Sequence, residues 1–208
     1  MVNTYKDKPR FGLQMSKRSQ IESINSLVKN CKKCDLWKTR NNAVPGNGSM
    51  DTKILFVGEA PGYNEDLQGL PFVGKAGKIL DELLQKVGIK REEIYIANIL
   101  KCRPPGNRNP LRSEIETCTP YLNKQIEIIQ PEVIIPLGSF AASYIFEKFG
   151  LKFEKISIIH GRVYTANTLY GKIKLIPMYH PAVATYNPNT LQTLVEDFKS
   201  LEKTLNKS

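Results

Sequence analysis

Apolar residues along the chain follow two rhythms. In the first they recur three and four positions apart. Ile21, Ile24, Leu27 and Val28 do so between Ser19 and Lys29, and Ile79, Leu80, Leu83, Leu84 and Val87 between Lys75 and Val87. Each set predicts an amphipathic helix. Further helices are expected from Ser113 to about Ile129, from Ser139 to Phe149 and from Leu191 to Leu205. Ser113 is the expected N-cap of the first, with Glu116 completing a capping box. The second rhythm is the short, mainly apolar run: Ile54 to Val57, Ile94 to Leu100 with Asn98 inside it, Val133 to Leu137, and Ile173 to Met178 with Lys174 inside it. Such runs suit parallel strands buried on both faces. Val163 to Thr165 and the Ile173 run flank a turn at Tyr170-Gly171. Residues 39–52 and 103–109 are rich in Asn, Gly and Pro and read as loops.

Strands alternating with helices predict an α/β fold, a parallel sheet with helices on both faces. No internal repeat or second domain is visible. Residues 1–17 read as a flexible basic arm and 18–208 as one domain. Ligands of such sheets bind beyond the carboxyl ends of the strands. Three suggestive segments fall there: Gly58-Glu59-Ala60-Pro61-Gly62, Asn98 with the loop after it, and His180-Pro181-Ala182.

Charge narrows the class of partner. Lys+Arg number 30 against 20 Asp+Glu, a formal net charge of +10. Nucleic acid is the commonest polyanion that such a surface meets. No apolar run approaches the roughly 18 residues of a membrane span. Residues 1–19 carry no apolar core of a secretory signal. The expectation is a cytoplasmic protein, away from membranes, acting as a monomer.

Four cysteines change the picture further. Cys31 and Cys34 form a CxxC pair, and Cys102 and Cys118 follow far along the chain. A cytosolic chain rarely spends thiols on disulfides. Thiolates suit an iron–sulfur cluster or zinc, and unliganded buried cysteines are the remaining reading. Cys102 opens a proline-stiffened basic loop, Cys102 to Pro110. It holds Arg103 and Arg108, with Arg112 just beyond, as candidates for phosphate contacts.

Taken together, these motifs resemble family 4 of the uracil-DNA glycosylase superfamily. The likeness spans about residues 20–205. It rests on Gly58-Glu59-Ala60-Pro61-Gly62 with Glu65-Asp66, on the segment Gly69 to Gly77 containing Phe72, on Asn98, on His180-Pro181-Ala182 and on all four cysteines. The resemblance implies a three-layer α/β/α sandwich with a central, mainly parallel four-stranded sheet. It implies a [4Fe-4S] cluster on Cys31, Cys34, Cys102 and Cys118, and uracil-containing DNA as the partner.

It also implies roles. Phe72 stacks on a flipped uracil. Asn98 pairs with its edge, accepting from N3–H and donating to O4. His180 donates to O2 as negative charge develops, and Glu59 orients or deprotonates the attacking water. Other branches of the superfamily carry an Asp one position later, where this chain has Ala60. Backbone at Gly58 and Ala60 contacts the base, and Glu65 lies near C5. Val183 or Tyr186 fills the hole left by the flipped nucleotide. His160 is read as structural. Two rivals remain. A non-catalytic, metal-stapled DNA-binding protein explains the charge and thiols but not the four site residues. A dinucleotide-binding oxidoreductase needs a GxGxxG spacing that Gly58 and Gly62 do not supply.

Overall fold

The computed structural model describes residues 15–205. The expected arm falls almost wholly on residues 1–14, outside the described residues. The elements are α1 (Lys17–Lys29), β1 (Asn47–Gly48), β2 (Ile54–Gly58), α2 (Tyr63–Gln68), α3 (Lys75–Lys86), β3 (Tyr95–Asn98) and α4 (Arg112–Ile129). After them come β4 (Val133–Pro136), α5 (Ser139–Lys148), α6 (Ile156–Ile159), β5 (Tyr164–Thr168), β6 (Gly171–Leu175) and α7 (Pro188–Leu205).

The sheet has six strands in the order β1-β3-β2-β4-β6-β5. The expected four-stranded sheet is its parallel centre, β3-β2-β4-β6. Two antiparallel edges extend it: β1 on β3, and β5 on β6 as a hairpin. Leu55 and Val57 of β2 pack with Ile21, Leu122, Ile126, Ala141 and Ile145, so α1, α4 and α5 cover one face. Phe56 packs with Leu80, Leu83, Leu84, Leu194 and Phe198, so α3 and α7 cover the other. β2, β3 and β4 are covered on both faces and have almost no polar side to show, whereas β6 alternates, with Ile173 and Leu175 buried and Lys172 exposed.

The topology fixes where a ligand binds. From β2 the chain crosses by α3 to β3 on one side. From β3 it crosses by α4, on the opposite face, to β4 on β2's other side. The strand order reverses around β2, and the crevice at such a switch point opens at its carboxyl end. Gly58-Glu59-Ala60-Pro61-Gly62 starts there.

One helix start differs from expectation. Ser113 lies inside α4, whose N-cap is Leu111. Glu114, not Glu116, reaches back and accepts from the Leu111 N–H at 2.8 Å. A leucine cap offers no side-chain acceptor, so the acid of the first turn does the capping alone.

Candidate active site and thiol cavity

Past β2 the chain keeps its hold on β3. Ile99 N–H donates to the Gly58 carbonyl and Leu100 N–H to that of Glu59, each at 3.0 Å. This pairing sets Asn98, the last residue of β3, beside Gly58. A Cβ at Gly58 would lie 2.3 Å from Asn98 Oδ1 and 2.7 Å from Phe72 Cε2. Only glycine lets the amide and the ring stand this close to the strand end.

Glu59, Ala60, Glu65, Phe72, Asn98 and His180 line one cavity of about 390 Å³. The structure thus gathers these predicted pocket residues from the loop after β2, α2, the loop before α3, β3 and the segment after β6. Asn98 is buried, and its Oδ1 has no hydrogen-bond partner. An unpaired buried acceptor costs about 1–3 kcal/mol, so this atom is poised for a donor brought by a ligand.

His180 is the second polar group. Its Nδ1 accepts from the Ala182 N–H at 3.2 Å. That bond places the ring proton on Nε2, the nitrogen left to donate. Burial pulls the imidazole down to about 4, against a small opposing pull from Glu65. The ring is therefore neutral at ordinary pH. It stacks against Phe72, with centroids 5.4 Å apart and planes 30° from parallel.

Glu59 is half-buried, and burial lifts its carboxyl above the ordinary 4.5. Glu65, expected near the base, has Oε1 committed to the loop before α3. It accepts from Val73 N–H at 2.9 Å and Gly74 N–H at 2.8 Å. Its neighbour Asp66 is buried and accepts from the Asn41 and Asn42 amides at 2.9 and 3.3 Å, tying the loop after Cys34 to α2.

The DNA-contact candidates divide. Arg103 lies over the Tyr63 ring at 5.2 Å and donates to Asn107 Oδ1 at 2.7 Å. Arg108 lines the cavity but forks onto Glu114 at 2.9 and 2.6 Å, so a phosphate must compete with that carboxylate. Arg112 pairs with Glu116 in an exposed i,i+4 bridge. Val183 packs against the α3/α7 core, whereas Tyr186 is 89% exposed at the end of the same short helical turn. His160 bonds both Asp197 oxygens at 3.0 Å and stands against the Tyr179 ring, a structural placement. Sequence reasoning missed Arg91 and Asn107. Arg91 acts through backbone carbonyls and leaves no pattern, whereas Asn107 lines the cavity from within the recognised loop.

All four cysteines border a second, smaller cavity with Val28, Trp37 and Tyr121. None is in a disulfide. Lys101 N–H donates to Cys118 Sγ at 3.2 Å, and Arg40 Nη1 to Cys102 Sγ at 3.0 Å. Burial pushes the Cys118 thiol up to about 12 and raises Cys34 and Cys102 as well. Among the described residues no group of three or more His, Cys, Asp or Glu is spaced to hold a metal ion.

The family model of the uracil DNA glycosylase superfamily matches residues 45–205, most of the chain. The chain belongs to the uracil-DNA glycosylase superfamily. It is 48% identical over 186 residues to the type-4 uracil-DNA glycosylase of Saccharolobus solfataricus, covering 89% of this chain and 86% of that protein. To the type-4 enzyme of Archaeoglobus fulgidus it is 49% identical, covering 87% and 92%. To that of Thermotoga maritima it is 43% identical, covering 90% and 95%. A type-5 uracil-DNA glycosylase of Pyrobaculum aerophilum matches at only 25%. Within the superfamily the chain therefore sides with type 4. No helix among the described residues is long and apolar enough to cross a membrane.

Proposed function

We propose that this protein excises uracil from DNA, hydrolysing the N-glycosidic bond to give free uracil and an abasic site. One observation carries the reading beyond family membership. A stacking ring, an unpaired buried acceptor, a donor with its tautomer set and a half-buried carboxylate share one cavity, large enough to admit a base. A base inside a duplex cannot reach such a cavity, so the nucleotide must flip out.

The chemistry follows from these groups. Phe72 offers a face to the base, worth about 1–3 kcal/mol. Asn98 Oδ1 accepts from uracil N3–H, and the amide donates to O4. Cytosine presents the reverse pattern and leaves the amide unpaired. Bond cleavage sends an electron pair into the uracil ring, and charge grows on O2. His180 Nε2–H is the donor for that oxygen. A neutral imidazole suffices, because a preoriented hydrogen bond in a dry site strengthens as charge develops. Glu59, ionised above its raised pKa, takes the proton of the water that attacks the cation-like sugar. With no amine nucleophile in the cavity lining, the product strand stays intact.

The thiol cavity suits a [4Fe-4S] cluster. Its donor set is all sulfur, and two N–H groups already point at the sulfurs, as cluster ligation favours. Cys31, Cys34, Cys102 and Cys118 would hold it. When bound, such a group ties the segment after α1 to the core; excision itself runs on the pocket residues. Tyr186, exposed at the end of the helical turn that starts beside the pocket residue His180, is the residue that fills the gap in the duplex, since Val183 is spent on packing.

The test is incubation with a uracil-containing oligonucleotide, with free uracil and abasic sites counted together. Equal amounts of both, without strand cleavage, are expected. Tight DNA binding with no uracil released would return the protein to the class of non-catalytic binders.

A further inference from the structure

Phe72 has φ 52°, a left-handed backbone. For a bulky side chain this backbone is strained. Among the described residues, the other non-glycine positions with positive φ, Asn107 and Gln130, are a loop Asn and a helix C-cap, where the conformation is easier. Phe72 has neither excuse, so its surroundings must impose the geometry.

Three features do so. Gly77 of α3 has no Cβ, and one built there would lie 2.0 Å from the Phe72 carbonyl oxygen. The helix therefore closes directly on that peptide. On the amide side, Glu65 Oε1 holds the N–H groups of Val73 and Gly74. On the carbonyl side, Arg91 Nη2 donates to Pro71 O at 2.7 Å and Phe72 O at 3.0 Å. Its Nη1 is anchored on Asp81 of α3 at 2.6 Å. The two carbonyls at Pro71 and Phe72 and the two amides that follow are thus all fixed by two side chains of opposite charge.

We propose that Arg91 is a positioning residue for base capture: its fork holds Phe72 in the strained backbone that presents the ring to uracil. The proposal rests on the excision reading above. The Arg91–Asp81 pair is partly exposed, with side chains 31% and 49% accessible, so it contributes little to global stability. What it contributes is local. It cancels the tendency of the Phe72 peptide to relax to negative φ, a change that would turn the ring away from Gly58 and His180. A lysine keeps the charge but not the planar fork that spans two carbonyls and a carboxylate.

The experiment measures competitive inhibition by free uracil in the wild type, Arg91→Lys, Arg91→Gln and Asp81→Asn, with affinity for undamaged duplex and the melting temperature alongside. Arg91→Gln should weaken uracil inhibition about tenfold, the scale of one stacking contact. Arg91→Lys should weaken it about threefold or more, with duplex affinity unchanged within about twofold. A global structural role would move the melting temperature and leave uracil inhibition alone. If Arg91→Gln fails to fold, Arg91→Lys and Asp81→Asn carry the test. Uracil inhibition within about twofold of wild type in the folded variants overturns the positioning role while the excision reading stands. A wild-type protein that releases no uracil overturns both.

Discussion

Asn98 and Cys102 lie a few residues apart at the end of one strand, yet they serve cavities of opposite character. Around Asn98 the protein leaves hydrogen-bonding capacity unspent: the Oδ1 has no partner and His180 Nε2 is free to donate. Around Cys102 it spends that capacity inward, with Arg40 and the Lys101 amide both aimed at sulfur. A site that turns substrate over must keep its polar groups waiting for each new ligand. A site that holds one group permanently can commit its donors to the ligating atoms. The comparison predicts that damage to the first cavity costs rate and damage to the second costs structure.

The largest effects belong to the waiting groups. Glu59→Gln should slow single-turnover excision about 10²–10⁴-fold, and His180→Ala by a similar factor. Affinity for uracil-DNA should stay nearly unchanged. The two together should fall short of the product of the singles, because both act on one transition state. Near-normal rates in both variants would mean that the chemistry sits elsewhere.

Next comes Cys118→Ala. It should lower the melting temperature and the yield of yellow-brown protein, leaving base preference intact in whatever folds. A colourless, zinc-loaded wild type after anaerobic purification would break the cluster assignment.

The pH profile sharpens the same contrast. Burial raises the Glu59 pKa above 4.5, whereas His180 stays neutral down to about 4. Excision should fall on the acid side as Glu59 protonates, and that limb should vanish in Glu59→Gln. Stability responds in opposite senses. Glu59 stabilises while neutral, and that contribution is lost as pH rises through its raised value. His180 stabilises fully above 6.5, and that contribution fades as pH falls toward about 4. An acid limb that persists in Glu59→Gln would assign it to another group.

The smallest effect should come from Tyr186→Ala. About a tenfold loss on duplex uracil, with little change on single-stranded uracil, is expected if it fills the flipped-base gap. Equal losses on both substrates would argue for a contact other than the wedge.

Much of this was legible in the sequence, for physical reasons. Strands covered on both faces announce themselves as apolar runs, so β2, β3 and β4 and the pocket at their ends could be anticipated, while β6 shows only through Ile173 and Leu175. β1 could not: Asn47-Gly48 pairs with β3 only through backbone, at an edge where no side chain need be buried. The polar helix α2 has six residues and one buried side chain, Asp66, so it shows no stripe. Glu114 outcompeted Ser113 for the start of α4 by reaching back from the first turn, and in doing so took Arg108 as a partner. Arg91 was invisible because it acts on peptide carbonyls, whatever side chains those peptides carry.

The central claim is that Asn98, with its unpaired Oδ1, reads the base. Single-turnover excision by wild type and Asn98→Asp on oligonucleotides carrying uracil or cytosine tests it most directly. Wild type should release uracil only. Asn98→Asp should lose most uracil release, because an ionised carboxylate repels the developing anion and offers no donor to O4. Weak cytosine release can appear from its protonated form. Uracil release at a near wild-type rate by a folded Asn98→Asp would contradict the account.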